Sequence, residues 1–188
     1  MVRQCHPVVN EFFFYDNIVL VEGPTEQIAI KHVAEKKGLD IHVIDCLGKA
    51  NIPLFAAILN QFKVPYLVIH DSDTPKVKRK SKMISGAMWT MNEKIRTVVS
   101  QSNGGVIFTQ FPHFEGEFLG EELNGGKVDR VLELLSDTTT PEYNTVCDTY
   151  AKALDKDTSV LTTDTASFDA KCDAYVARNS LNGDALWF

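Results

Sequence analysis

The sequence predicts an α/β fold: a parallel four-stranded sheet with helices on both faces, followed by a helical C-terminal extension. Short, almost uniformly apolar runs recur between residues 17 and 109, the pattern of strands buried on both faces. Stretches with apolar residues at helical spacing lie between them. A strand–helix–strand–helix–strand order implies parallel strands joined by right-handed crossovers.

Asn17-Ile-Val-Leu-Val-Glu22 is the first strand, closed by Gly23-Pro24. Thr25 to Lys37 is a helix whose imperfect stripe is Ile28, Ile30, Val33 and Ala34, with Gly38 as its stop. Ile41 to Asp45 is the second strand. Asn51 to Phe62 is a helix with Leu54, Phe55, Ile58, Leu59 and Phe62 on one stripe. Val64 to His70 is the third strand and ends at Asp71. A polar, basic loop is expected next, then a helix from Met83 to Ser100 and a fourth strand from Gly104 to Thr109. Beyond Phe114 the helical pieces are Phe118 to Leu123, Val128 to Leu135 and Tyr143 to Leu154, with a threonine-rich loop from Asp155 to Thr165. This gives a lead-in at 1–16, a domain at 17–125 and the extension at 126–188.

The 188 residues fit one domain, and 44% apolar with 23% charged residues allows a packed core. No apolar run approaches the roughly 20 residues that span a bilayer. The opening Met1-Val-Arg-Gln-Cys-His-Pro7 lacks the apolar stretch of a signal peptide. A cytoplasmic protein without a membrane partner is expected. Cys5, Cys46, Cys147 and Cys172 lie far apart with no C-x-x-C pair, so free thiols are expected rather than zinc or disulfides. A net charge of −6 argues against coating of nucleic acid by bulk attraction but does not exclude a nuclease. A local strip of Lys76, Lys78, Arg79, Lys80 and Lys82 is either a grip for a phosphate backbone or a solvated loop.

In a parallel sheet, sites form at the carboxyl ends of strands. Glu22 ends the first strand, and Asp71 and Asp73 end the third. Residues two apart in an extended segment point to one side, so both aspartates can face one cation. Glu26 lies one helical turn beyond Glu22, at a helix start where negative charge is tolerated. A lone D-x-D occurs by chance in many proteins, and a lone Glu26 reads as a helix-start residue. Four carboxylates on one sheet edge are harder to explain as solvated surface. Hard divalent cations would offset their repulsion.

Val21-Glu-Gly-Pro-Thr-Glu26, Gly48-Lys-Ala-Asn51 and Ile69-His-Asp-Ser-Asp73 together resemble the Toprim domain of the OLD (overcoming lysogenization defect) nucleases, as does the lead-in Asn10 to Asp16. The resemblance implies a Toprim, Rossmann-like fold and a DNA nuclease with two Mg²⁺ or Mn²⁺ ions. It implies one ion on Glu26, Asp71 and Asp73, the other on Glu22, Asp71 and Glu115, with Glu22 also catalytic. Glu117 is the alternative to Glu115, and His113 stands where the family often has aspartate. The family also expects a lysine that neutralises the scissile phosphate; Lys127 is the first candidate and Lys152 the second, and either also reads as a solvated helix lysine. An ABC-type ATPase domain or subunit is the implied partner. Since no G-x-x-x-x-G-K-[ST] occurs here, it is either a removed part or a separate chain.

Ile69 to Thr74 also matches the D-x-D-x-T of haloacid-dehalogenase-like phosphatases. That reading leaves Val21 to Glu26 unexplained and lacks a later acidic pair. A Toprim topoisomerase would need a nucleophilic tyrosine, usually from another domain. The alternative from another class is a non-catalytic nucleic-acid or ATPase-docking module that keeps the fold.

Overall fold

The computed structural model describes residues 11–123 and 125–188. Cys5 and the opening read for a signal peptide lie outside them. In chain order come β1 (Ile18–Val21), α1 (Pro24–Lys37), β2 (His42–Asp45), α2 (Ile52–Gln61), β3 (Tyr66–Asp71), β4 (Lys76–Arg79), β5 (Lys82–Ser85), α3 (Ala87–Val99) and β6 (Val106–Gln110). Then follow α4 (Phe114–Phe118), α5 (Lys127–Ser136), α6 (Pro141–Leu154) and α7 (Thr165–Arg178).

Strands β2, β1, β3 and β6 pair in that order, every neighbour parallel. The expected four-stranded parallel sheet is therefore present. Side chains alternate across a strand, and this divides the core in two. Val19, Val21, Leu67, Ile69 and Phe108 face α1, α5 and α6 through Ile30, Val33, Val131, Leu134, Val146 and Tyr150. Ile18, Leu20, Tyr66, Val68 and Ile107 face α2 and α3 through Ile52, Ala56, Leu59, Ile95 and Val99. The outer edge of β6 is covered by the segment before α7: Thr162 N donates to Ile107 O at 2.8 Å and Ile107 N donates to Thr163 Oγ1 at 3.0 Å. That pairing removes an open sheet edge. Among the described residues no helix is long and apolar enough to cross a membrane.

Three local readings are corrected. The basic segment after β3 is not a loop but an antiparallel hairpin, β4 with β5, in which Val77 pairs with Ile84. Its base is tied by Lys76 N to Leu186 O at 3.0 Å and Gly86 N to Pro75 O at 2.8 Å, so a partner more than a hundred residues away helps define it. The helix expected from Met83 consequently begins at Ala87. The piece expected over Phe118 to Leu123 is instead Phe114–Phe118; His113 caps its start, accepting from Gly116 N at 3.1 Å. Helix α7 had no clear stripe, because only Phe168 and Val176 are buried on it. Asp164 starts it by accepting from Ser167 N at 2.7 Å.

Helices α5 and α6 lie in the same apolar cluster as the sheet. Tyr150 is fully buried between Phe108, Phe114 and Phe118. Tyr150→Ala should therefore lower unfolding stability by roughly 3–5 kcal/mol, while Leu132→Ala, half exposed on α5, should cost about 0.5 kcal/mol or less. Urea unfolding of both variants checks this; similar small losses would show that α6 is not integral to the core.

Candidate functional site

The chain leaves β1 for β2 on one side, then returns to β3 on the other. A crevice consequently opens beyond the carboxyl ends of β1 and β3, where the winding reverses. Val21 is in register with Ile69, and the ladder continues one step, with Glu22 N donating to Ile69 O at 3.2 Å. Glu22 and Asp71 thus flank the crevice, and Asp71 N donates to Glu22 Oε2 at 3.3 Å. Glu26, in the first turn of α1, accepts from Gly23 N at 3.1 Å. Glu22, Glu26 and Asp71 line a cleft of about 380 Å³ together with Gly126 and Lys127.

Burial and mutual repulsion set the charge here. Burial raises the Glu22 carboxyl, opposed by Lys49 and reinforced by Asp73. Burial, then Glu22 and Glu115 nearby, push Glu26 up to about 7 despite its backbone hydrogen bonds. Asp71 is raised well above the usual carboxylate range by burial, then by Glu26, Glu22 and Asp73.

Two lysines meet this acidity. Glu115 is buried on α4 and its Oε2 lies 3.0 Å from Lys127 Nζ at the start of α5. Burial acts to raise Glu115, but His113, its own backbone amide and Lys127 outweigh it and pull it down to about 2. His113 Nδ1 stands 3.0 Å from Glu115 Oε2 and 3.1 Å from Gly116 N. It donates to the first only when protonated and caps the helix only when not. For Lys127, the pull of Glu115, Asp71 and Glu26 exceeds the effect of burial and raises its pKa. On the opposite flank, Lys49 Nζ lies 2.6 Å from Asp73 Oδ2 and 3.1 Å from Ser72 O, with no side-chain exposure.

Of the residues singled out in the sequence, Glu22, Glu26, Asp71 and Lys127 share the cleft, and Glu115 joins through Lys127. Asp73 does not continue an extended strand: its φ is 58°, a left-handed turn, and its carboxylate is held by Lys49. The expectation that a two-residue spacing aims both aspartates alike is corrected by that turn. Glu117 points elsewhere, accepting from Phe111 N at 3.1 Å and lying 3.9 Å from Arg178. Lys152 is exposed in the last turn of α6, outside the cleft lining. Lys76, Lys78, Arg79, Lys80 and Lys82 lie on the β4–β5 hairpin and its turn. Lys49 is the member of the site that the sequence does not single out, although it stands within Gly48-Lys-Ala-Asn51.

The donor set is all oxygen, which suits Mg²⁺ or Mn²⁺. Asp71 Oδ1 and Glu115 Oε1 are buried without a hydrogen-bond partner, as expected of oxygens kept for a ligand. Among the described residues no three His, Cys, Asp or Glu side chains are already gathered as a metal cage. The carboxylates are instead held singly by Lys127, Lys49 and backbone amides. The residues thus fit divalent ions in chemistry, with protein donors in their place.

Residues 13–73 match the family described as "Overcoming lysogenization defect protein-like, TOPRIM domain". The match takes in Glu22, Glu26, Lys49, Asp71 and Asp73, while Glu115 and Lys127 lie beyond it. Among curated proteins, the chain is similar to one named "OLD nuclease" from Thermus scotoductus, at 27% identity over 140 residues. That alignment covers 67% of this chain and 26% of the relative, so the chain spans about a quarter of that protein's length.

A carboxyl raised in the folded state binds a proton that the unfolded chain has lost, so stability falls as pH rises between the two values. For Glu26 the window runs from 4.5 to about 7, and the raised Glu22 and Asp71 act in the same direction. Without divalent ions, the melting temperature should drop across that window, and Glu26→Gln should flatten the drop. An unchanged slope would remove Glu26 from the cluster. Asp71→Ala should leave the metal-free melting temperature equal or higher, since it relieves like-charge repulsion; a sharp fall would make Asp71 a structural residue.

Proposed function

We propose that the chain, whose residues 13–73 match an OLD-like Toprim domain, is the catalytic part of a metal-dependent DNA nuclease. The observation that carries this reading is the partnerless buried Asp71 Oδ1 in a cleft shared with Glu22 and Glu26. The name of the curated relative, a nuclease, supports it. Glu22, Glu26, Asp71, Asp73 and Glu115 would hold two Mg²⁺ or Mn²⁺ ions. Such ions, when bound, supply Lewis acidity and a water activated for phosphodiester hydrolysis.

The protein's own groups account for the rest. Lys127 is cationic at neutral pH, as lysines are, and Glu115, Asp71 and Glu26 outweigh its burial and hold the proton more firmly still, so its ammonium could meet negative charge on a phosphate. Clustered carboxylates alone would repel a nucleic acid. The hairpin, which starts three residues after Asp73, adds Lys76, Lys78, Arg79, Lys80 and Lys82 and would hold the backbone near the acidic cleft. The chain has no nucleotide-binding loop of the G-x-x-x-x-G-K-[ST] type. ATP would therefore act through an ABC-type ATPase domain or subunit, with the whole assembly in the cytoplasm.

Supercoiled plasmid incubated with the purified chain should be nicked or cut slowly in Mg²⁺ or Mn²⁺ without ATP. EDTA, Glu22→Ala and Asp73→Ala should each abolish the activity. Binding should be weak and salt-sensitive, because five basic residues neutralise only a few phosphates. Cleavage that survives EDTA or both substitutions would sink the proposed site. Absence of cleavage with any metal would favour the non-catalytic docking module, a reading to which His113 in an expected acidic position lends support.

A further inference from the structure

We propose that Lys49 is a positioning residue of this cleft, a built-in cation that keeps the carboxylates assembled when no divalent ion is bound. The inference rests on the reading of the cleft as a metal site. Lys49 is among the largest fully buried side chains, at 1% exposure, yet lysine is almost never fully buried unless paired. Its partner is Asp73 Oδ2 at 2.6 Å, and its second hydrogen bond goes to Ser72 O at 3.1 Å. Asn92 Nδ2 reaches the same carbonyl at 2.9 Å.

The backbone is shaped for this. Gly48, just before Lys49, has φ 110° and ψ 150°, a conformation that essentially only glycine adopts. Gly48 N donates to Glu22 O at 2.8 Å, so the turn that carries Lys49 is bonded to the residue at the end of β1. Asp73, in its left-handed turn, is fixed by Asp73 N to Pro112 O at 2.8 Å and by Lys49. Lys49 thus reaches from the β2 side of the crevice across to the end of β3. It holds Asp73 through Oδ2.

A fixed positive charge here has two consequences. It opposes the repulsion between Asp73 and Glu22 in the metal-free protein, since it is paired with the first and draws on the second. It also competes with an incoming cation for the same negative charge, so ions bind less tightly than the carboxylates alone would allow. Unlike a divalent ion, it cannot leave, because the ammonium is covalently held and sealed from solvent.

The test uses the purified chain with Mn²⁺ as the probe, read by melting temperature and by titration calorimetry. Lys49→Met keeps the apolar stem and removes the charge, and Lys49→Gln keeps an N–H donor without the charge. Both should melt lower than the wild type without metal. Both should gain more from saturating Mn²⁺ than the wild type gains, and bind Mn²⁺ more tightly by on the order of tenfold. Plasmid cleavage should nevertheless fall, since Asp73 is no longer held in place. A lysine that served only to fill volume would leave the Mn²⁺-induced shift and the affinity unchanged or reduced, and that result overturns the assignment. If Lys49→Met does not fold without metal, Lys49→Gln decides by the same two readouts. A wild type that shows no response to Mn²⁺ would overturn the metal-site reading itself; a responsive wild type with equally responsive variants would overturn only the role of Lys49.

Discussion

Glu22, Glu26 and Asp71 are brought together by the adjacency of β1 and β3, and mutual repulsion among them is the interaction that the surrounding structure must offset. Water would screen such charges, but the crevice is walled by the sheet and α1, where screening is weaker. The outcome is visible in the directions of titration. All three carboxyls are raised, first by burial and then by neighbouring acids, while Glu115, hydrogen-bonded by His113 and by a lysine at 3.0 Å, is lowered. Protons and ammonium groups are the two means of neutralisation that the chain itself provides. A divalent ion would be a third, and it can act on several oxygens at once.

The two lysines come from different layers. Lys49 arrives from the turn after β2 and is sealed inside. Lys127 arrives from the first turn of α5, at the open mouth of the cleft, with its side chain partly exposed. Their exposures differ: Lys49 is closed in against Asp73, whereas Lys127, held by Glu115, stays partly open to solvent. Val131, Leu134 and Leu135 anchor α5 to the same apolar layer as β1 and β3, so the position of Lys127 depends on the packing of the C-terminal helices.

The basic hairpin illustrates how charge is separated in a chain that is acidic overall. Its basic residues lie on two short strands and the turn between them, while its base is pinned to the last residues through Leu186; the neighbouring helix α3 meets the same C-terminal residues through Trp89 and Trp187. Negative charge is thereby concentrated in the crevice and positive charge on an exposed arm that begins beside it. The left-handed turn at Asp73 lies between the two.

The parallel sheet, its four strands and the carboxylates at the ends of β1 and β3 were all legible in the sequence. Strands buried on both faces announce themselves as apolar runs, and an acid that closes such a run must lie at the sheet edge. Glu22, Asp71 and the helix-start Glu26 were legible for that reason. The hairpin, helix α7, the turn at Asp73 and the partnership of Lys49 were not. Each depends on contacts between distant parts of the chain: Leu186 with Lys76, Thr162 with Ile107, Pro112 with Asp73, and Lys49 with Asp73. Local periodicity records which faces are apolar, and so it reports the layers. It does not record which polar group will meet which, because that is decided only when the layers close and each buried donor or acceptor must find a partner within about 3 Å.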